Sequence, residues 1–161
     1  MDSMYPSRRA LLLGLAASVS AAACGGGSNS TSPTTNNQTW VANVPFSFTD
    51  LTAGTGDEAV TGLRVSVDYF GWLYSTATTD NKGSLFDTSC PSTCTPFAFT
   101  LGSGQVIKGF DQGVAGMRVG GIRRVIMPPD MAYGAAGNQS IPPNATLVFE
   151  IRLNGIVMSA T

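Results

Sequence analysis

The chain has 161 residues, nine basic and ten acidic side chains, a net charge of −1 and no histidine. The basic residues are scattered, which argues against nucleic acid as a main partner. The missing histidine excludes His-dependent triads, His general bases and every His-bearing metal site.

The N-terminus differs from the rest. Arg8 and Arg9 close a short positive segment, and residues 10–23 are apolar and small, too short to span a bilayer comfortably. Residues 1–23 therefore read as an export signal. Residues 7–12, SRRALL, are similar to a twin-arginine motif, with an ordinary secretory leader as the alternative. Ala21-Ala22-Ala23-Cys24 resembles a bacterial lipobox, in which cleavage before Cys24 exposes the thiol for lipidation; plain cleavage is the alternative. Two or more acyl chains on Cys24 would anchor the protein stably to a membrane, so the expected location is the cell envelope. Residues 24–39 then form a tether: GGGSNSTSPTTNNQT has no apolar side chain and cannot bury a core. Extended at ~3.3 Å per residue, it reaches some ~50 Å. The folded domain is expected over residues 40–161.

Residues 44–49 are a weak candidate for an edge strand, followed by a turn at Gly54, Gly56 and Asp57. Leu63, Val65, Val67 and Tyr69 alternate with Arg64, Ser66 and Asp68, the pattern of a half-buried antiparallel strand. Cys90 and Cys94 flank Pro91-Ser92-Thr93, and in an oxidising compartment a local disulfide is the natural reading. A redox-active pair or free thiols are the alternatives, and two thiolates without histidine do not complete a tetrahedral metal site. Phe97, Phe99 and Leu101 alternate with Ala98 and Thr100 in a further strand. Phe110, Val114 and Met117 stand at i, i+4 and i+7, one face of a short helix expected to stop at Gly120-Gly121. Gly113 and Gly116 weaken that helix, so it needs packing to persist. Residues 122–127 and the alternating set Leu147, Phe149, Ile151 and Leu153 complete the strands. The fold class is α+β: a twisted antiparallel sheet of about five strands with one short helix across its concave face.

Several segments carry a resemblance. GQVIKGF at residues 104–110, VDYFG at 67–71, GSLFD at 83–87, PFAFTLG at 96–102, MPPDMAYG at 127–134 and IPPNATLVFE at 141–150 follow one another in order. Together they closely resemble the FKBP-type peptidyl-prolyl cis-trans isomerases. That resemblance implies an apolar pocket lined by Tyr69, Phe86, Asp87, Phe97, Phe99, Val106, Ile107, Phe110, Tyr133, Ile141 and Phe149. The chemistry suits the residue types. Rotation about an X–Pro bond faces a barrier of ~18–20 kcal/mol because the planar amide is resonance-stabilised. An apolar cleft disfavours that charge-separated ground state relative to the twisted transition state. By the same resemblance, Phe110 forms the floor, where most relatives carry Trp. The Ile107 N–H and the Tyr133 hydroxyl hold substrate carbonyls, Tyr69 and Asp87 stand near the reacting group, and no cofactor or metal is called for.

The bland reading of these side chains is core packing for Phe97 and Phe99 and a turn cap for Asp87. The chain departs from the pattern at Asn138, where many eukaryotic relatives have His, in a shortened loop at 137–141, and in extra sequence at 72–84 that lengthens the loop or hairpin before Asp87. The expected partners are proline-containing segments of exported proteins and the macrolide inhibitors of the family, and a monomer is expected. A catalytically weak chaperone or binding module using the same cleft is the alternative function.

Overall fold

Six strands and one helix are formed within residues 44–157, the part of the chain that the computed structural model describes. The expected export signal, Cys24, the tether and the domain start at Trp40 lie outside the described residues. The strands are β1 (Ser47–Thr52), β2 (Arg64–Tyr74), β3 (Lys82–Thr88), β4 (Phe97–Thr100), β5 (Ile122–Met127) and β6 (Leu147–Val157), and the helix is α1 (Lys108–Val114). All pairings are antiparallel and the sheet runs β1-β5-β6-β2-β3, with β4 also on β2. β3 takes the Phe70–Tyr74 end of β2 and β4 takes its Arg64–Val67 end, so the two share one edge.

The long strands form where alternation is cleanest. Val65, Val67 and Leu73 of β2 meet Leu147, Phe149, Ile151 and Leu153 of β6 in one buried cluster. Each such side chain contributes about 1.5–3 kcal/mol on burial. α1 lies against β5, and its glycines explain how closely. A Cβ on Gly109 would come 2.7 Å from Met127, and one on Gly113 2.8 Å from Val125. Gly113, one of the two glycines expected to weaken the helix, is therefore also one that lets it touch the sheet.

The structure corrects three expectations. The helix ends at Val114, not at Gly120-Gly121, because Gly116 takes a left-handed φ of 73° and its N–H donates to Ala59 O at 2.9 Å. Met117 is buried from outside the helix, with its carbonyl accepting the Ala59 N–H at 2.8 Å. The edge strand is Ser47–Thr52, a register set by its pairing with β5. The expected class holds, an antiparallel sheet with one short helix, and Lys82–Thr88 brings its strands to six. The extra sequence at 72–84 thus extends a hairpin: β2 runs to Tyr74, β3 starts at Lys82, and Ser75 N–H donates to Asn81 O at 2.9 Å across the turn. Cys90 and Cys94 are joined in a disulfide just after β3.

Candidate functional site

Between α1 and the β2–β3–β4 side of the sheet lies a cavity of about 380 Å³, lined by Tyr69, Asp87, Phe97, Gln105, Val106, Ile107, Phe110, Tyr133 and Phe149. Each wall follows from the fold. The alternation of β2 turns Tyr69 to the same side as Val65 and Val67, β3 delivers Asp87, and β4 delivers Phe97. Val106 and Ile107 lead into α1, whose first turn supplies Phe110, and β6 supplies Phe149. Tyr133 comes from the loop after a 3₁₀ turn at Pro129–Met131.

The aromatic rings hold one another edge to face. Phe110 is buried and meets Tyr69 at 5.6 Å and Phe149 at 5.4 Å between ring centroids, with interplanar angles of 83° and 85°. Such pairs add about 0.5–1.5 kcal/mol beyond their area and leave little freedom for the floor to shift.

The polar groups are few. Tyr69 O–H donates to Asp87 Oδ2 at 2.9 Å. Ile107 O accepts the Phe110 and Asp111 amides, while its own N–H has no hydrogen-bond partner among the described residues. Gln105 Oε1 accepts the Thr100 N–H at 2.9 Å, which ties the cavity entrance to β4. Burial, then the hydrogen bond from its hydroxyl to Asp87 and that carboxylate's charge, with Tyr133 adding last, push the Tyr69 phenol up to about 12. Burial and the Asp87 charge also raise Tyr133. Both rings therefore stay neutral hydrogen-bond donors throughout the physiological range. The walls are apolar, with a carboxylate and hydroxyls at one side and no serine, cysteine or lysine among the lining residues. Such a site can desolvate and orient a planar group; its lining carries none of those nucleophiles.

The raised phenols have a measurable consequence. In the folded chain both tyrosines bind their protons more tightly than when unfolded, so this stabilisation is complete below the ordinary value of 10.0 and is lost as pH rises toward about 12. The phenolate step of Tyr69, taken as the difference between wild type and Tyr69→Phe, is expected near about 12. In Asp87→Asn it should fall without returning to the ordinary value, because burial is the larger cause. A complete return would make Asp87 the dominant cause instead.

Eight of the eleven side chains expected to line one pocket come together there. Phe86, Phe99 and Ile141 stand behind the lining: Phe86 packs its ring on Phe149 at 5.6 Å, Phe99 lies under Phe97 and Phe110, each at 5.7 Å, and Ile141 is in the buried core. Gln105 was missed, although it stands directly before Val106 and Ile107. No residue of the 72–84 hairpin lines the cavity, so that segment is not a cover over it. Asn138 acts locally, its Oδ1 accepting the Ser140 and Ile141 amides, each at 2.9 Å.

Comparison with known proteins adds to this geometry. A family model described as FKBP-type peptidyl-prolyl cis-trans isomerase matches residues 56–154. The chain is 51% identical over 108 residues to the 39 kDa FK506-binding nuclear protein of Drosophila melanogaster, covering 66% of this chain and 28% of that one. It is 47% identical over 105 residues to an FK506-binding protein of Neisseria meningitidis serogroup A, covering 65% of this chain and 89% of that one. Among solved structures, that of AtFKBP13 superposes with a TM-score of 0.60 at 35% identity, over 70% of this chain and 93% of the other.

Proposed function

The chain belongs to the family of FKBP-type peptidyl-prolyl cis-trans isomerases, and from that premise we propose that its aromatic cavity takes the prolyl ring of an X–Pro segment and lets the preceding amide twist. The enzyme is an isomerase of this type. The observation that carries the site assignment is the juxtaposition of an apolar floor, Phe110 and Phe149, with the Tyr69–Asp87 pair at 2.9 Å. The rings receive the proline and strip water from the amide. A twisted amide loses its resonance and its charge separation, so a dry cleft favours it over the planar ground state. The Ile107 N–H, which has no other partner among the described residues, and the Tyr133 hydroxyl hold the flanking carbonyls. Asp87, fixed by Tyr69, faces the carbon of the rotating carbonyl as its double-bond character to nitrogen is lost.

The substrates are proline-bearing segments of exported proteins, whose cis–trans steps take tens to hundreds of seconds unaided. FK506-type macrolides would compete for the same cavity. Both inferences are supported by the export-like residues 1–23 and by relatives that carry FK506 binding in their names. The test is the cis-to-trans rate of a short X–Pro peptide with an apolar X, with and without the macrolide. Acceleration that the macrolide blocks supports isomerase and site together; a folded protein that binds the peptide without accelerating it makes the cleft a binding module.

Lipidation of Cys24 holds this activity at a membrane, with residues 25–39 as the tether and the protein acting as a monomer. The full chain is expected in the membrane fraction of the expressing bacterium and Cys24→Ser in the soluble fraction. Equal partitioning of the two would sink the anchor.

A further inference from the structure

One carboxylate oxygen is buried without a partner beside the disulfide. Asp68, on β2, accepts the Asn154 Nδ2–H at Oδ2, 2.7 Å away, while its Oδ1 is buried and has no hydrogen-bond partner. A buried carboxylate oxygen left unpaired calls for an explanation, and an ion in another state of the protein is one. The neighbouring groups point to which ion. A carboxylate oxygen of Asp68 and the sulfurs of Cys90 and Cys94 all lie within 4.8 Å of one another.

We propose that reduction of the Cys90–Cys94 bridge opens a site for a thiophilic dication of the zinc class, held by both cysteine sulfurs and Asp68. The three residues between the cysteines fall within the two-to-four spacing from which zinc takes paired thiolates, and carboxylate oxygen is an accepted third ligand. Tetrahedral bonds of ~2.0–2.3 Å put ligand atoms ~3.5–3.8 Å apart, so the two sulfurs, bonded to each other here, must part to that distance on reduction while Asp68 approaches by about an ångström. Water fills the fourth position. Asn154 acts as an orienting partner, engaging Oδ2 while Oδ1 stays without a partner.

The loop holds its shape by means other than the bridge. Cys90 N–H donates to Thr88 Oγ1 at 3.0 Å, Thr95 N–H to Ser89 O at 2.9 Å, and Ser89 N–H to Tyr69 O at 3.1 Å. Cys94 is exposed, so a reductant can reach the bridge. A dithiol supplies the two electrons: its thiols close to a disulfide, its two hydrogens pass to Cys90 and Cys94, and their S–S bond breaks. Binding of the dication then releases both thiol protons to solvent. The charge of two thiolates and a carboxylate, unfavourable when crowded together, is what the cation stabilises.

The test uses the full chain with Cys24→Ser, so that Cys90 and Cys94 are the only source of thiols. It is reduced with excess dithiol, desalted under nitrogen and titrated with Cd²⁺, whose thiolate charge-transfer band reports binding; Zn²⁺ then competes. One ion per reduced chain is expected and none per oxidised chain, with at least tenfold weaker binding in Asp68→Asn and a larger loss in Cys94→Ser. Circular dichroism follows the fold throughout. Absence of the band, Asp68→Asn binding as tightly as its parent, or unfolding on reduction would each overturn the proposal. None of these readouts depends on isomerase activity.

Discussion

Replacing Asp87 with leucine is expected to lower kcat/KM on a short X–Pro peptide by about 30-fold while leaving the melting temperature nearly unchanged. The first half follows from the environment of the carboxylate. It faces a cavity whose other walls, Gln105 apart, are rings and aliphatic chains, and it holds the Tyr69 hydroxyl at 2.9 Å. A charge-assisted contact made to the twisted amide contributes about 1.5–3 kcal/mol, and about 2 kcal/mol is a factor of about 30 in rate. The second half follows from exposure: Asp87 is at the surface and supports no buried group except through Tyr69. Because the carboxylate acts on the twisted amide more than on the bound peptide, the loss should fall mainly in kcat. Asp87→Asn separates the two parts of the role. It keeps an acceptor for Tyr69 but removes the charge, so a variant close to wild type would assign the effect to Tyr69 positioning. Loss equal to that of leucine would assign it to the charge. Activity within twofold of wild type in both would remove Asp87 from the site.

The same cavity shows what a sequence carries and what it leaves out. Strand alternation is legible in β2 and β6 because the two are paired in one sheet and each turns alternate side chains into the same buried cluster. The expected edge strand begins three residues before β1 because all six residues of β1 are exposed, leaving no periodic signal; its limits come from its register with β5. The expected helix is too long because Met117 keeps helical spacing from Phe110 and Val114, yet reaches the core from a turn bonded to Ala59. In β3 the pairing with β2 shifts register on both sides of Trp72, which erases the period of two. The family resemblance names eight of the nine residues that line the cavity but not their depth. Phe97 and Phe99 share one strand face, and they differ from 40% to 1% exposed because one stands at the cavity and the other beneath it. Position along a strand relative to a helix crossing it is a tertiary fact, absent from local pattern.

Arg123→Leu is expected to destabilise the fold by about 3 kcal/mol, although the residue reads in sequence as one of the scattered basic side chains. The alternation of β5 puts Arg123 on the buried face with Val125 and Met127, and its guanidinium is spent on the end of α1. Nη1 donates to Gly113 O at 3.1 Å and to Ala115 O at 3.0 Å, two carbonyls that the ending helix leaves without partners. Nε and Nη2 engage Asp50 of β1 at 2.6 and 3.2 Å, and the same group lies 4.2 Å over the Phe48 ring. One side chain thus joins the edge strand to the helix that carries Phe110. Leucine fills part of the space but leaves both carbonyls unbonded, at about 1–3 kcal/mol for a buried group. The ion pair itself contributes less, because the Asp50 side chain is 49% exposed against 7% for Arg123. Asp50→Asn should therefore cost under about 1 kcal/mol, and Arg123→Lys should fall between the two, since an ammonium cannot reproduce the planar fork. Urea midpoints at unchanged m-value give the order directly. If Asp50→Asn proved as costly as Arg123→Leu, the energy would reside in the ion pair, and the carbonyls of α1 would be satisfied by water without Arg123.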